Sequence, residues 1–156
     1  MKWYGICAIM KDIINGLVFI HSCKMVHRDL KPTNGYQQVQ NSTNISVLFS
    51  VRTALWKITD FGFTVEGSSK KLILTQSRGT QGYRAPELCQ DYPVYTQKVD
   101  IWALGCIFHE IVAGWRVFQS DWGVFIYGRS QDDLPLTVLG ISQASKPRSM
   151  SLKPIV

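Results

Sequence analysis

Hydrophobic residues recur every three or four positions along the first part of the chain, and this spacing predicts a helix over residues 3–22. The positions that share its apolar face are Ile6, Ile9 with Met10, Ile13, Leu17 and Ile20. The pattern ends after Ser22, and residues 25–27 are predicted to be extended. Pro32 then excludes a helix through residues 29–31, because the residue before a proline is disfavoured in the helical region.

Two short apolar runs in the middle of the chain, residues 47–49 and 56–58, predict a pair of strands around a turn. The preceding residues 35–46 are polar and rich in Gln, Asn and Ser, which predicts a loop. A second polar stretch, residues 64–81, is interrupted by the apolar residues 72–74. We expect this second stretch to form a flexible connection.

A second helix is predicted over residues 97–113, with Thr96 as its N-cap and Gly114 just beyond its end. Residues 101–108 are apolar on every face of this helix, so we expect it to be buried all round. From Gly128 onward the chain shows no clear pattern, and no internal repeat is visible.

The composition fits one globular domain and excludes a disordered chain. The 156 residues are 46% hydrophobic, and 17 Lys and Arg stand against 11 Asp and Glu, which gives a net charge of +6. This charge suits a protein that handles phosphate or acidic peptides. We expect no nucleic-acid partner, because the aromatic residues are not interleaved with basic ones. We expect no membrane partner either, because no segment reaches about 18 uninterrupted apolar residues.

Cysteines and histidines give no metal-binding pattern. The four cysteines have no CxxC spacing, so we expect reduced thiols that mostly fill the core. The apolar start of the chain is interrupted by Lys11 and Asp12, which argues against a secretory signal. Three histidines are expected to pack or to lie at the surface without chemistry: His21, His27 and His109.

Residues 27–34 are the most informative stretch, because they read His-Arg-Asp-Leu-Lys-Pro-Thr-Asn. This run fits the pattern H-R-D-L-x-x-x-N at every specified position. Asp60-Phe61-Gly62 and Ala85-Pro86-Glu87 follow in the order that the same set of motifs requires. One tripeptide would carry little weight, but three ordered matches are specific. The chain therefore resembles the eukaryotic protein kinases, in particular their C-terminal lobe.

The resemblance implies an α+β, protein-kinase-like fold, namely a mainly helical C-terminal lobe with short strands at the catalytic face and no N-terminal lobe. Residues 1–127 are expected to form this partial kinase domain, with residues 35–46 as an insertion. Residues 128–156 are expected to be an irregular or truncated tail. The Gly-rich phosphate loop, strand lysine and helix glutamate of the family are not in the sequence. We therefore expect little phosphotransfer by this chain alone.

The resemblance also assigns catalytic roles. Phosphoryl transfer from ATP depends on positioning and charge neutralisation more than on covalent help. The resemblance makes Asp29 the acceptor of the hydroxyl proton and Lys31 the cation beside the transferring phosphate. It places Mg²⁺ on Asn34 and Asp60, whose oxygens are hard ligands, so ATP and Mg²⁺ are the expected cofactors. Lys31 also indicates the Ser/Thr branch, and Thr80 agrees, so the expected partner is a protein substrate with Ser or Thr hydroxyls.

Two further residues are implied to support the site. Thr80 would hydrogen-bond near Asp29 and Lys31 and orient them. Asp100 would accept backbone N–H bonds from the catalytic loop and hold it rigid. Since the chemistry depends on both turns, we expect Asp29 and Asp60 to converge on the floor of one cleft.

Arg28 indicates control by phosphorylation, because an Arg beside the catalytic Asp can pair with a phosphate on the following segment. Ser77 and Thr75 are the favoured acceptors for an upstream kinase, and the sequence does not select between them. Glu87 is implied to pair with an arginine late in the domain, and Arg148 is the nearest candidate. Without such a partner, burial of Glu87 would be unfavourable.

Asp29 and Asp60 are about a dozen residues further apart than the family pattern expects. The excess coincides with residues 35–46, which we interpret as an unspliced short intron, because their removal joins Asn34 directly to Val47. Two alternatives to an inherited Ser/Thr kinase remain. One is a catalytically dead kinase-like binding module, and the other is a truncated gene-model product that does not fold stably. A cytoplasmic or nuclear location is expected, because ATP is required and no export signal is recognisable.

Overall fold

The computed structural model describes residues 3–32, 47–67, 72–73, 79–90 and 93–130. Its helices are α1 (Trp3–Ser22), α2 (Lys98–Ala113) and α3 (Asp121–Arg129). Its strands are β1 (Met25–Val26), β2 (Val47–Ser50), β3 (Leu55–Ile58), β4 (Val65–Glu66), β5 (Leu72–Ile73) and β6 (Val94–Tyr95). Two 3₁₀ turns span Phe61–Phe63 and Pro86–Cys89. The predicted combination of helices with short strands is confirmed.

Helix α1 forms one side of the core, as its periodicity predicts. The buried positions are Ile6, Ile9, Ile13, Leu17 and Ile20, each at most 6% exposed. Burying one such side chain stabilises the fold by about 1.5–3 kcal/mol. Gly16 brings α1 close to strand β3, since a Cβ atom there would lie 3.0 Å from the Cδ1 atom of Ile58.

The strands form antiparallel pairs, and their register positions the loops between them. Strand β2 pairs with β3, so that Val47 lies opposite Ile58. Strand β1 pairs with β4, and β5 pairs with β6. A parallel bridge joins Pro32 to Val47. Consequently, the end of the loop that follows β1 lies beside the strand pair that leads into Asp60.

Helix α2 differs from the prediction at its start and in its burial. It begins at Lys98, and Gln97 is the N-cap residue, although the Thr96 hydroxyl still accepts a bond from the Lys98 amide at 3.3 Å. Gly114 ends the helix with φ 85° as predicted. The expectation of burial all round is wrong, because Ile101 is 48% exposed. It lines an open groove of about 450 Å³ between α1 and α2.

Among the described residues, α1 is the one helix long and apolar enough to cross a membrane, judged by length and composition. The sequence criterion of about 18 uninterrupted apolar residues did not identify this helix, because Lys11 and Asp12 interrupt the run. The mean hydropathy of the helix is nevertheless 1.4. Its buried face packs into the core, as the core helix of a globular domain does.

The cysteines are all free, and only part of the expectation that they fill the core is correct. Cys7 and Cys23 are exposed, since Cys7 lies outside the apolar face of α1 and Cys23 follows its end. Burial raises the pKa of the Cys89 thiol to about 11 and that of Cys106 to about 12. Both thiols are therefore less acidic than a free cysteine, which lowers the fraction of reactive thiolate.

Candidate active site

The loop that follows β1 carries Asp29, and the buried carboxylate of Asp100 fixes its backbone. Asp100 lies in the first turn of α2 and is 0% exposed. Its Oδ2 atom accepts the His27 amide at 2.9 Å, and its Oδ1 atom accepts the Arg28 amide at 2.8 Å. Arg28 has φ 70°, in the left-handed region that non-glycine residues rarely occupy. These two bonds hold the loop in that conformation.

His21 also contacts Asp100, which the sequence interpretation missed. The Nε2 atom of His21 lies 2.8 Å from Asp100 Oδ2. Gln97 donates to the carbonyl oxygens of His21 and Met25, at 3.0 and 3.3 Å. The end of α1, the start of α2 and the loop after β1 therefore share one polar network. His21 and Asp100 are 79 positions apart, so no local pattern signals this pair.

Asp29, Lys31 and Thr80 form a closed triangle of hydrogen bonds. The Lys31 ammonium donates to Asp29 Oδ2 at 2.9 Å and to Thr80 Oγ1 at 3.0 Å. The Thr80 hydroxyl donates to Asp29 Oδ1 at 2.6 Å. The Asp29 side chain is 1% exposed and that of Lys31 is 13% exposed. The triangle thus presents a proton acceptor and a cation at one point, where water screens their charges little.

The turn that carries Asp60 lies directly against the loop of Asp29. The His27 ring bonds to the Thr59 carbonyl oxygen at 3.0 Å and packs edge-on against Phe61, with ring centroids 5.4 Å apart. The Arg28 Nε atom donates to the Phe63 carbonyl oxygen at 2.6 Å. His27 is fully buried, so its expected packing role agrees with its position. These contacts bring the two turns together, as the sequence interpretation requires.

Asp60 has the features of a ligand for a hard cation. Its backbone is left-handed (φ 61°), and its Oδ1 atom accepts the Gly62 amide at 3.4 Å. Its Oδ2 atom is buried, with no hydrogen-bond partner among the residues that the structure describes. A buried carboxylate oxygen without a donor is disfavoured unless a cation or a solvent molecule satisfies it. Asp60 therefore fits Mg²⁺, while Asn34, the other predicted ligand, lies outside the described residues.

No cluster of three or more His, Cys, Asp or Glu side chains suited to a metal ion occurs within the described ranges. A Mg²⁺ site at Asp60 would therefore need further oxygen ligands beyond these side chains, and this ion commonly keeps several water ligands.

The other predicted residues are placed as follows. The guanidinium of Arg28 donates to the Tyr95 hydroxyl at 3.3 Å and lies over its ring. Ser77 and Thr75, its expected regulatory partners, lie outside the described residues.

Glu87 is the other residue with a predicted partner. Burial raises the pKa of Glu87, and the positive charge of Lys98 offsets part of this rise. Arg148, the expected partner of Glu87, also lies outside the described residues.

Comparison with known proteins decides the family. Residues 4–151 match the family model described as "Protein kinase domain". The chain belongs to the protein kinase family. It is 35% identical over 117 residues to "Mitogen-activated protein kinase pmk-2" of Caenorhabditis elegans, covering 72% of this chain and 27% of that protein. It is 41% identical over 109 residues to "Mitogen-activated protein kinase 13" of Arabidopsis thaliana, covering 70% of this chain and 26% of that protein.

A third relative of this kinase chain is "Cyclin-dependent kinase 11" of Dictyostelium discoideum, 35% identical over 113 residues. That match covers 72% of this chain and 28% of the relative. The chain thus spans about a quarter of the length of these three kinases.

Proposed function

We propose that this chain supplies the substrate-side catalytic machinery of a Ser/Thr protein kinase, which transfers the γ-phosphate of ATP to Ser or Thr hydroxyls of proteins. The observation that carries the proposal is the triangle of Asp29, Lys31 and Thr80. It places an acceptor for a hydroxyl proton 2.9 Å from an ammonium group, with Thr80 bonded to both. Asp60, in the adjacent turn, supplies an unpartnered carboxylate oxygen within the described part of the chain.

In the proposed reaction, the substrate hydroxyl oxygen bonds to the γ-phosphorus while the bond from that phosphorus to the bridging oxygen of ADP breaks. Asp29 accepts the hydroxyl proton as the nucleophile attacks. Lys31 stabilises the negative charge on the transferring phosphate. Mg²⁺, when bound by Asp60 and Asn34, would neutralise charge on the ATP phosphates. Thr80 keeps Asp29 and Lys31 oriented throughout.

The Ser/Thr preference and the regulation are part of the same proposal. Lys31 and Thr80 support the Ser/Thr branch by resemblance, and one relative is named "Serine/threonine-protein kinase TIO". Arg28 would bind a phosphate placed on Ser77 or Thr75 by an upstream kinase, exchanging its bond to Tyr95 for a stronger charged one. We place this activity in the cytoplasm or nucleus.

The experiment joins this chain to the N-terminal lobe of a related mitogen-activated protein kinase and supplies Mg-ATP with myelin basic protein. We expect phosphate on Ser and Thr, and a loss of at least ~100-fold in Asp29→Asn, because general-base catalysis contributes that much. Asp12→Asn is the matched control, since Asp12 accepts the Trp56 amide at 3.1 Å, away from the triangle. It should keep near-normal activity.

The chain without an added lobe is expected to transfer little phosphate, because its sequence contains no Gly-rich phosphate loop. A fused chain that melts cooperatively and binds ATP but transfers nothing would overturn the catalytic proposal. That outcome would instead favour a kinase-like binding module. Its candidate surface includes Val18 and Phe19 of α1, which are 62% and 70% exposed.

A further inference from the structure

We propose that Arg84 and Asp121 are a positioning pair that holds residues 79–83 in place, so that the Thr80 hydroxyl stays on Asp29 and Lys31. The effect of this pair on catalysis rests on the proposed function. The contacts that Arg84 and Asp121 make are independent of that function. Neither residue belongs to the predicted site, and 37 positions separate them along the chain.

Arg84 connects both ends of this short segment. Its NH1 atom lies 2.5 Å from Asp121 Oδ2, and its Nε atom donates to the Gly79 carbonyl oxygen at 2.8 Å. Its NH2 atom donates to the same oxygen. Gly79 immediately precedes Thr80, so the guanidinium fixes the peptide that sets the direction of the Thr80 side chain. Arg84 and Asp121 are only 17% and 23% exposed, which limits screening by water.

Asp121 completes the connection from the other side. Its Oδ1 atom accepts the Gly82 amide at 3.1 Å while its Oδ2 atom binds Arg84. Asp121 is the first residue of α3, where the helix dipole favours a negative charge. One carboxylate therefore ties both Gly82 and Arg84 to the start of α3.

The backbone of the segment is packed tightly at two points, which leaves little room for an alternative position. Gly79 has φ 101°, and a Cβ atom there would lie 2.5 Å from the Arg28 carbonyl oxygen. Gly82 has φ 82°, and a Cβ atom there would lie 2.5 Å from the Phe118 carbonyl oxygen. The segment thus lies between the loop of Asp29 and the connection from α2 to α3. The ion pair holds it there.

The test observes the Lys31 ammonium group by ¹H–¹⁵N NMR in the full chain, without nucleotide or substrate. Lys31 donates to Asp29 and Thr80, so its protons should exchange slowly with water. In Asp121→Ala and in Arg84→Met, we expect exchange to accelerate about tenfold, which corresponds to the loss of roughly one hydrogen bond. Asp121→Asn keeps an acceptor for Gly82 without the charge, and it should give an intermediate rate.

Ser120→Ala is the matched control, because it removes the N-cap bond to the Gly123 amide at 3.5 Å and leaves the ion pair intact. This variant should lower the thermal midpoint but leave the Lys31 exchange rate within about twofold of the original.

An unchanged Lys31 rate in folded Asp121→Ala or Asp121→Asn would overturn the proposal. Equal acceleration in Ser120→Ala would do the same, because it would show a general loosening of α3. If Asp121→Ala does not fold, Asp121→Asn and Arg84→Met decide the result. Since no phosphotransfer is measured, failure of the kinase proposal and failure of this one remain distinguishable.

Discussion

The Nε2 atom of His21 lies 2.8 Å from the Oδ2 atom of Asp100, which joins the last turn of α1 to the first turn of α2. The same carboxylate accepts the backbone amides of His27 and Arg28. Asp100 is therefore the point at which two helices and the loop of Asp29 are connected. Its removal affects the fold and the site together.

Asp100→Ala should destabilise the chain by about 3 kcal/mol, because the buried amide of His27 and the partly buried amide of Arg28 lose their acceptor at once. Urea unfolding monitored by circular dichroism measures the difference. Asp12→Ala is the control, since Asp12 accepts a single partly buried amide, that of Trp56. It should lower the unfolding free energy by about 1 kcal/mol. Equal losses in the two variants would contradict the central role of Asp100.

Asp60 is expected to bind a divalent cation through its Oδ2 atom, which has no hydrogen-bond partner among the residues that the structure describes. Mn²⁺ at about 100 times its dissociation constant should stabilise the chain by about 2.7 kcal/mol, because it binds only the folded state. Thermal unfolding with and without Mn²⁺ measures the effect. Asp60→Asn should abolish it, whereas Asp12→Asn should not. Retention of the full Mn²⁺ effect in Asp60→Asn would place the cation elsewhere.

Glu87 should make the chain less stable as pH rises. Burial raises its pKa in the folded state, so the folded chain keeps the proton to higher pH than the unfolded chain. The stabilising contribution is therefore complete below the unfolded pKa and is lost as pH passes through the folded pKa. Glu87→Gln should raise the thermal midpoint at pH 7 but have little effect below about pH 4.

Glu66→Gln is the comparison for this pH effect, because Glu66 is exposed. It should leave the midpoint nearly unchanged at both pH values. If Glu87→Gln changed the midpoint equally at pH 4 and pH 7, the effect could not come from titration of this carboxyl group.

Deletion of residues 35–46 should leave a folded and more stable chain. Pro32 and Val47 form a parallel bridge, so their backbones are already adjacent. The deletion joins Asn34 directly to Val47 and restores the spacing between Asp29 and Asp60 that the family pattern expects, so we expect the fold to accept the shorter connection. Shortening the connection from 14 residues to two should lower the entropic free-energy cost of closing this loop by about 1–2 kcal/mol. Thermal unfolding measures the gain.

Two further variants make this deletion informative. Replacing residues 35–46 by a Gly/Ser linker of equal length should leave the stability close to that of the original chain. Deleting residues 33–46 makes Pro32 and Val47 chain neighbours, which breaks the bridge, and should lower the stability. A deletion of residues 35–46 that prevents folding would show that this segment is part of the fold.

The sequence predicted those features that depend on local pattern. The buried series of α1 follows from the helical period alone, and the strand pair follows from two apolar runs around a turn. The burial of α2 was mispredicted, because an apolar residue such as Ile101 does not show whether another element covers it. The site residues were found because their motifs are continuous in sequence. His21 and Arg84 were missed, because their partners come from distant segments.

The left-handed backbone at Arg28 and Asp60 opposes folding to chemistry at two turns of the site. For non-glycine residues this conformation costs roughly 1 kcal/mol or more, and glycine at either position would relieve it. Glycine would also remove the guanidinium at one turn and the carboxylate at the other. A substitution that relaxes either turn would therefore take away a group on which the proposed function depends.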